Sequence, residues 1–233
     1  MFMAGKKYKK AMEFLKEGIT YSVEEAIELL EQTNTVKFDP TVEIHFNLNL
    51  DPKYVDQMIR TTGKLPHGTG KTPRICAFCD TISANDLKKA GATVAGGEDL
   101  VADIAWWTVA LDFDVCVATP LMMRQLGKIA RILGPKWLMP NPKTGTVGED
   151  LVAIIKDVAG GKFEFKTDKQ WNVHSVFGKL SFWKQKLTEN LHTFLQLIQD
   201  VKPSGAKGKY INSVVICNAM GPGIKLDMTV DKK

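Results

Sequence analysis

Two kinds of strand are written into this chain, and they do not suit the same sheet. From Val42 to Leu50, Ile44, Phe46, Leu48 and Leu50 alternate with Glu43, His45, Asn47 and Asn49. Side chains of a strand point to opposite faces in turn, so this segment presents one face to a core and one to water. Phe113 to Ala118, Asp114 aside, is an unbroken apolar run. That pattern belongs to a parallel sheet covered on both faces.

The surroundings of the two strands differ in the same way. Lys6 to Lys16 reads as a basic helix with Ala11, Met12 and Leu15 as its apolar positions. Ser22 followed by Glu25 forms a capping-box pattern and predicts a helix over about 23–32. Asp51-Pro52 breaks the first strand, and turn formers crowd Pro66 to Pro73. Beyond them, Arg74–Cys79 reads as a strand, Ser83–Ala90 as a helix, Gly96-Gly97 as the turn into a helix near Glu98, and Pro120 as the start of another. Strand and helix thus alternate through about 74–158, as in a small α/β unit. After Gly160-Gly161 the pattern returns to a hairpin of Phe163 and Phe165 with Trp171–Phe177. A helix over about 183–200 follows, with Leu187, Leu191, Phe194, Leu195 and Ile198 on one stripe. Val214–Ile216 and Ile224–Val230 close the chain as strands around Met220-Gly221-Pro222-Gly223.

The fold class is therefore α/β. The end segments resemble each other in style and the middle differs, which suits one domain built from both ends with a second inserted. A single continuous α/β domain with long loops fits the same pattern. In the first arrangement the crossings fall near Leu65–Lys71 and Val158–Lys162, where glycine permits a hinge.

At 233 residues the chain is long enough for two domains. With 44% hydrophobic and 24% charged residues it is not a disordered chain. The net charge of +5 permits attraction to a polyanion without indicating one. No apolar run approaches the roughly 18 residues a membrane helix needs, and Met1–Lys10 has no apolar stretch behind its basic residues. The expected location is the cytoplasm, with no membrane partner, and with Cys76, Cys79, Cys116 and Cys217 as reduced thiols.

Enzymatic motifs fail on inspection. Gly70-Lys71-Thr72 resembles the end of a phosphate-binding loop, but the pattern G-x-x-x-x-G-K-[ST] needs a Gly where Leu65 stands. Cys76-Ala77-Phe78-Cys79 is a lone C-x-x-C whose thiols point to opposite faces of a strand, with Cys116 and Cys217 distant in sequence. His45, His67, His174 and His192 are scattered, and Asp112 and Asp114 read as turn carboxylates at a strand start. The residues recommend no catalytic group, no metal site and no cofactor.

The basic features say more. Lys6, Lys7, Lys9 and Lys10 surround Tyr8, and Lys128 and Arg131 precede a Pro- and Gly-rich cationic segment from Ile132 to Val147. A rigid loop of this kind can offer lysines and backbone N–H groups to phosphates, although on charge alone a solvated surface loop is the better explanation.

That segment carries a resemblance. Arg131-Ile132-Leu133-Gly134-Pro135-Lys136 with Leu138-Met139-Pro140-Asn141-Pro142-Lys143-Thr144-Gly145-Thr146-Val147 resembles the signature of the uL-one family, the first protein of the large ribosomal subunit. Leu65-Pro66-His67-Gly68-Thr69-Gly70-Lys71, Lys37-Phe38-Asp39, Asp112-Phe113-Asp114 and Met220-Gly221-Pro222-Gly223 follow in the family's order, so the resemblance covers nearly the whole chain. It implies a discontinuous α+β domain, 1–66 plus 160–233, that binds ribosomal RNA, and an inserted Rossmann-like α/β domain, 67–159. Pro66, Gly68, Gly70, Gly160 and Gly161 become the hinge. The resemblance further implies a monomer within the ribosome, at the mobile stalk beside the exit site for deacylated tRNA, with tRNA in that site as a partner. Binding to its own messenger RNA as a translational repressor is implied for bacterial members. The implied RNA contacts are Lys37, Phe38, Thr41, Asp168, Lys169, Ser213, Met220 and Gly221; Phe38 has core packing as its alternative. Enzymatic use of the middle unit is the competing class.

Two departures from the family pattern stand out. Ala219 occupies a position that is usually Thr, which removes a hydroxyl. Trp137 and Trp171 stand where the family normally has Gly, and Trp183 falls at an exposed-looking helix start. A source that decodes UGA as glycine, translated with a table that reads it as Trp, accounts for Trp137 and Trp171. Genuine tryptophans contacting RNA or protein neighbours are the alternative.

Overall fold

The computed structural model describes residues 5–16, 18–50, 57–80, 84–106, 110–203, 205–206 and 208–227. The expected break at Asp51-Pro52, the helix start at Ser83 and the strand end beyond Asp227 lie outside the described residues. The protein is mixed α/β and divides into two compact units, Met1–Gly70 with Phe165–Lys233, and Lys71–Glu164.

The first unit holds an antiparallel four-stranded sheet in the order β7-β1-β8-β9. Its strands are β1 (Thr41–Leu48), β7 (Asn172–Lys179), β8 (Ile211–Asn218) and β9 (Gly223–Leu226). Alternation decides the packing: Val42, Ile44, Phe46 and Leu48 of β1 are buried, while Thr41, Glu43, His45 and Asn47 are half-exposed. Helices α2 (Val23–Gln32) and α8 (Lys184–Asp200) supply the apolar stripes. Phe194 of α8 stacks on Phe46 with ring centroids 5.4 Å apart and lies 5.5 Å from Phe165. The capping box of α2 forms as its sequence requires: Ser22 Oγ accepts the Glu25 N–H, and the Glu25 carboxylate accepts the Ser22 N–H. Helix α1 (Lys6–Met12) is shorter than the expected Lys6–Lys16, because the chain turns when Leu15 N–H reaches Met12 O at 3.0 Å.

The expected hairpin of Phe163 and Phe165 with Trp171–Phe177 is corrected. Strand β6 (Lys162–Lys166) pairs with β2 (Arg60–Lys64), and β7 pairs with β1. A single bridge, Thr167 to Val173, joins the two segments. Val173 and Phe177 are fully buried, so β7 follows its apolar face into the main sheet rather than back along β6.

The second unit has a parallel three-stranded sheet in the order β4-β3-β5: β3 (Ile75–Phe78), β4 (Val94–Gly96) and β5 (Val115–Ala118). Each face carries its own core. Cys76, Phe78, Cys116 and Ala118 pack with α4 (Glu98–Ala105), α5 (Met122–Leu126) and α6 (Ala130–Leu133). Ile75, Ala77, Cys79 and Val117 pack with α3 (Ala84–Lys89) and α7 (Leu151–Ala159). The unbroken apolar run is thus explained by burial on both sides. Strand β5 starts two residues later than expected because Asp114 turns its carboxylate to Arg74 N–H (3.0 Å) and Lys71 Nζ (2.9 Å). Cys76 and Cys79 do sit on opposite faces, but Cys76 is not far from Cys116, its register partner across β3 and β5.

The cationic segment is built, not loose. Asn141 Oδ1 caps a short 3-10 turn, Pro142–Thr144, by accepting Lys143 N–H at 2.9 Å. Gly145 then takes a left-handed φ of 60°. Ala118 N–H donates to Thr146 O at 3.1 Å, which ties the segment to β5.

Candidate nucleic-acid interface

The outward face of the four-stranded sheet carries the polar residues of β1, Thr41, Glu43, His45 and Asn47. Register pairs place Glu43 beside Cys217, His45 between His174 and Val215, and Asn47 between Asn172 and Ser213. Asn47 Nδ2 donates to Asn172 Oδ1 at 2.8 Å, and Asn212 Nδ2 donates to Asn47 Oδ1 at 3.0 Å. Antiparallel sheets commonly carry a core on one face and water on the other, so this face needs no covering layer.

The residues that the sequence singles out fall into two groups at opposite ends of this face. Lys37, Phe38 and Thr41 lead into β1, and Met220 and Gly221 turn from β8 to β9. The two stretches meet where Ala219 N–H donates to Thr41 O at 2.9 Å. Lys37 is exposed, Phe38 is 58% exposed and Met220 77% exposed, so Phe38 is not a core residue. Ser213, Asp168 and Lys169 lie at the other end, around the start of β7 and near Asn47. From Thr41 to Asn47 the strand runs on the order of 20 Å.

Local geometry explains how several of these side chains are presented. Met220 has a φ of 69° in a turn closed by Gly221 N–H to Asn218 O at 2.8 Å. Glycine normally fills such a position; a Met there is strained and pushed outward. A Cβ on Gly221 would lie 3.2 Å from Asn218 O, so this turn is tight. Thr41 Oγ1 accepts from Lys179 Nζ at 2.9 Å, bringing a cation to the start of β1. Burial opposes ionisation of Asp168, but N–H groups of Asn172 and Gln170, each at 2.8 Å, hold its carboxyl below the usual range. Asp168 therefore shapes the turn from which the exposed Lys169 projects.

Sequence reasoning missed Lys179 and the close pair His45–His174, whose Nδ1 atoms are 2.8 Å apart. The four histidines are not all scattered: two meet across β1 and β7. The alternation of Glu43, His45 and Asn47 was a signal for their shared face; strand pairing, which sequence does not display, supplied the partner.

The expected hinge residues divide between the units. Pro66 and Gly68 belong to the first, where fully buried Asn190 accepts His67 N–H at 3.2 Å and donates to Gly68 O at 3.0 Å and Phe177 O at 2.8 Å. Gly70, with a φ of 77°, ends that stretch of the unit, and a Cβ there would lie 2.7 Å from Lys179 Cγ. Gly160 and Gly161 belong to the second unit, after α7.

The sequence model described as the ribosomal protein L1p/L10e family matches residues 29–222. No helix among the described residues is long and apolar enough to cross a membrane.

Proposed function

Because this chain belongs to the ribosomal protein L1p/L10e family, a structural, RNA-binding family of the large ribosomal subunit and not an enzyme family, we propose that it binds large-subunit ribosomal RNA through the outward sheet face of its first unit. The observation that supports this most directly is the bond between Ala219 and Thr41, which joins the turn of exposed Met220 to the strand start that follows exposed Phe38 and that Lys179 also contacts. Folded RNA is read by shape, sugar hydroxyls and phosphates. Phe38 and Met220 offer flat apolar contact to a sugar or base, Gly221 admits the RNA backbone, and Lys37 and Lys169 reach phosphates. Thr41 and Ser213 add hydroxyls at the two ends of the face, and Asp168 presents Lys169.

In the finer reading the first unit is the discontinuous RNA-binding domain and the second a Rossmann-like insertion. The insertion moves about crossings that hold Pro66, Gly68 and Gly70 on one side and Gly160 and Gly161 on the other. The protein then forms the mobile stalk beside the exit site and assists release of deacylated tRNA. The same face serves its own messenger RNA in translational repression, and the protein works as a monomer in the cytoplasmic ribosome.

Filter binding with a stalk fragment of ribosomal RNA tests the reading. Three lysines around the face predict a slope of about −2 to −3 in log affinity against log salt from those contacts alone. Affinity that does not change with salt, or failure to co-sediment with large subunits, rejects it.

A further inference from the structure

We propose that Glu43, His45 and Cys217 form a binding site for a divalent transition-metal ion of the zinc class, set in the middle of the outward sheet face. One carboxylate oxygen, one imidazole nitrogen and the thiol sulfur lie within 4.8 Å of one another. His45 Nε2 is 3.2 Å from Cys217 Sγ and 3.8 Å from Glu43 Oε2. A tetrahedral zinc ion with ordinary ligand bonds separates its donor atoms by roughly 3.3 to 3.6 Å. The cluster therefore needs only small side-chain adjustments to close around an ion, and all three residues are half-buried, which leaves the fourth position to water.

The side chains behind the cluster orient it. Asp168 Oδ2 lies 3.4 Å from His174 Nε2, which places the His174 proton on that nitrogen. His174 Nδ1 then carries a lone pair and accepts from His45 Nδ1–H across 2.8 Å. That leaves the lone pair of His45 on Nε2, the atom aimed at Cys217 and Glu43. Metal-binding histidines commonly donate their other ring N–H to a fixed acceptor, which sets tautomer and ring orientation. Here Asp168 and His174 supply that chain. Without an ion, the Cys217 thiol donates to the lone pair of His45 Nε2 across 3.2 Å. On binding, the thiol proton leaves to solvent and the thiolate and the carboxylate balance the two charges of the ion. Mixed thiolate and imidazole donors select zinc, cobalt or copper over magnesium or calcium.

Cobalt titration of the full, reduced chain tests the site, because Co²⁺ reports its ligands in its spectrum. One equivalent is expected to give a thiolate-to-cobalt charge-transfer band and visible bands of tetrahedral intensity, both abolished by a stoichiometric addition of Zn²⁺. Cys217→Ser is expected to remove the charge-transfer band. His174→Gln is expected to keep the band and weaken affinity by about 10- to 100-fold, as loss of an orienting partner does. If Cys217→Ser disturbs the sheet, His45→Gln and Glu43→Gln carry the test, each lowering affinity and altering the visible bands. No charge-transfer band in the unaltered protein, or a band that survives Cys217→Ser, overturns the proposal.

Discussion

Ala219 donates its backbone N–H to the carbonyl of Thr41 across 2.9 Å, joining the turn after β8 to the start of β1. That bond fixes where the Ala219 side chain stands in relation to Phe38 and Met220. In the uL-one pattern this position usually carries Thr, and Ala219 is half-exposed, so a hydroxyl fits without burial. Ala219→Thr is therefore expected to strengthen binding to the stalk RNA by about 1 kcal/mol, roughly fivefold, with little effect on stability. Filter binding at fixed salt measures it; unchanged affinity removes this position from the interface.

Met220 couples strain to exposure. Its φ of 69° costs about 1 to 2 kcal/mol for a residue with a Cβ, and its side chain is 77% exposed. Met220→Gly releases that strain, while the added freedom of the unfolded chain takes back about 0.5 to 1 kcal/mol. Thermal stability is expected to stay level or rise slightly, while RNA affinity falls about tenfold through the lost apolar contact. A variant that loses stability and keeps its affinity assigns Met220 to the fold rather than to recognition.

Periodicity made much of this fold legible. The alternation in β1 and the unbroken run in β5 follow directly from which faces are buried, and helix α2 from its capping box. Pairing was less visible. The segment 163–177 reads as a hairpin because its apolar residues alternate, yet the choice of β1 over β6 as the partner of β7 depends on residues far away in sequence. The candidate interface was legible only through resemblance for Phe38 and Met220, since an exposed Phe and a buried one look alike in a sequence. His45 and His174 were unreadable as a pair because register, not spacing, brings them together.

Asp114 makes part of the second unit's stability depend on pH. The backbone N–H of Arg74, and then Lys71, lower its carboxyl to about 2. An unfolded carboxyl titrates near ~3.9, so the stabilisation is fully present above that pH and is lost as pH falls toward about 2. Asp114→Asn is expected to cost about 1 kcal/mol at neutral pH, after allowance for solvent screening at a partly exposed site. The two proteins should converge in stability near pH 2. A constant difference across the acid range would show that hydrogen bonding, not charge, carries the effect.

Trp137 and Trp171 test how the gene is read. Among the described residues, the non-glycine positions with positive φ are Trp137 at 60°, Trp171 at 63° and Met220. The two tryptophans are thus held in the conformation that glycine adopts without strain. Trp171 also buries an indole N–H with no hydrogen-bond partner among the described residues, a cost of about 1 to 3 kcal/mol. Its ring is largely buried, so Trp171→Gly alone trades that relief against a cavity. Trp137 is 77% exposed, so its strain has little burial to offset it. Trp137→Gly is expected to raise stability by up to about 1 kcal/mol, after subtracting the backbone entropy of glycine. Decoding of UGA as glycine predicts in addition that mass spectrometry of the native protein finds Gly at both positions. Tryptophan-containing peptides there would show the residues to be genuine and leave their strain to be explained by contacts within the ribosome.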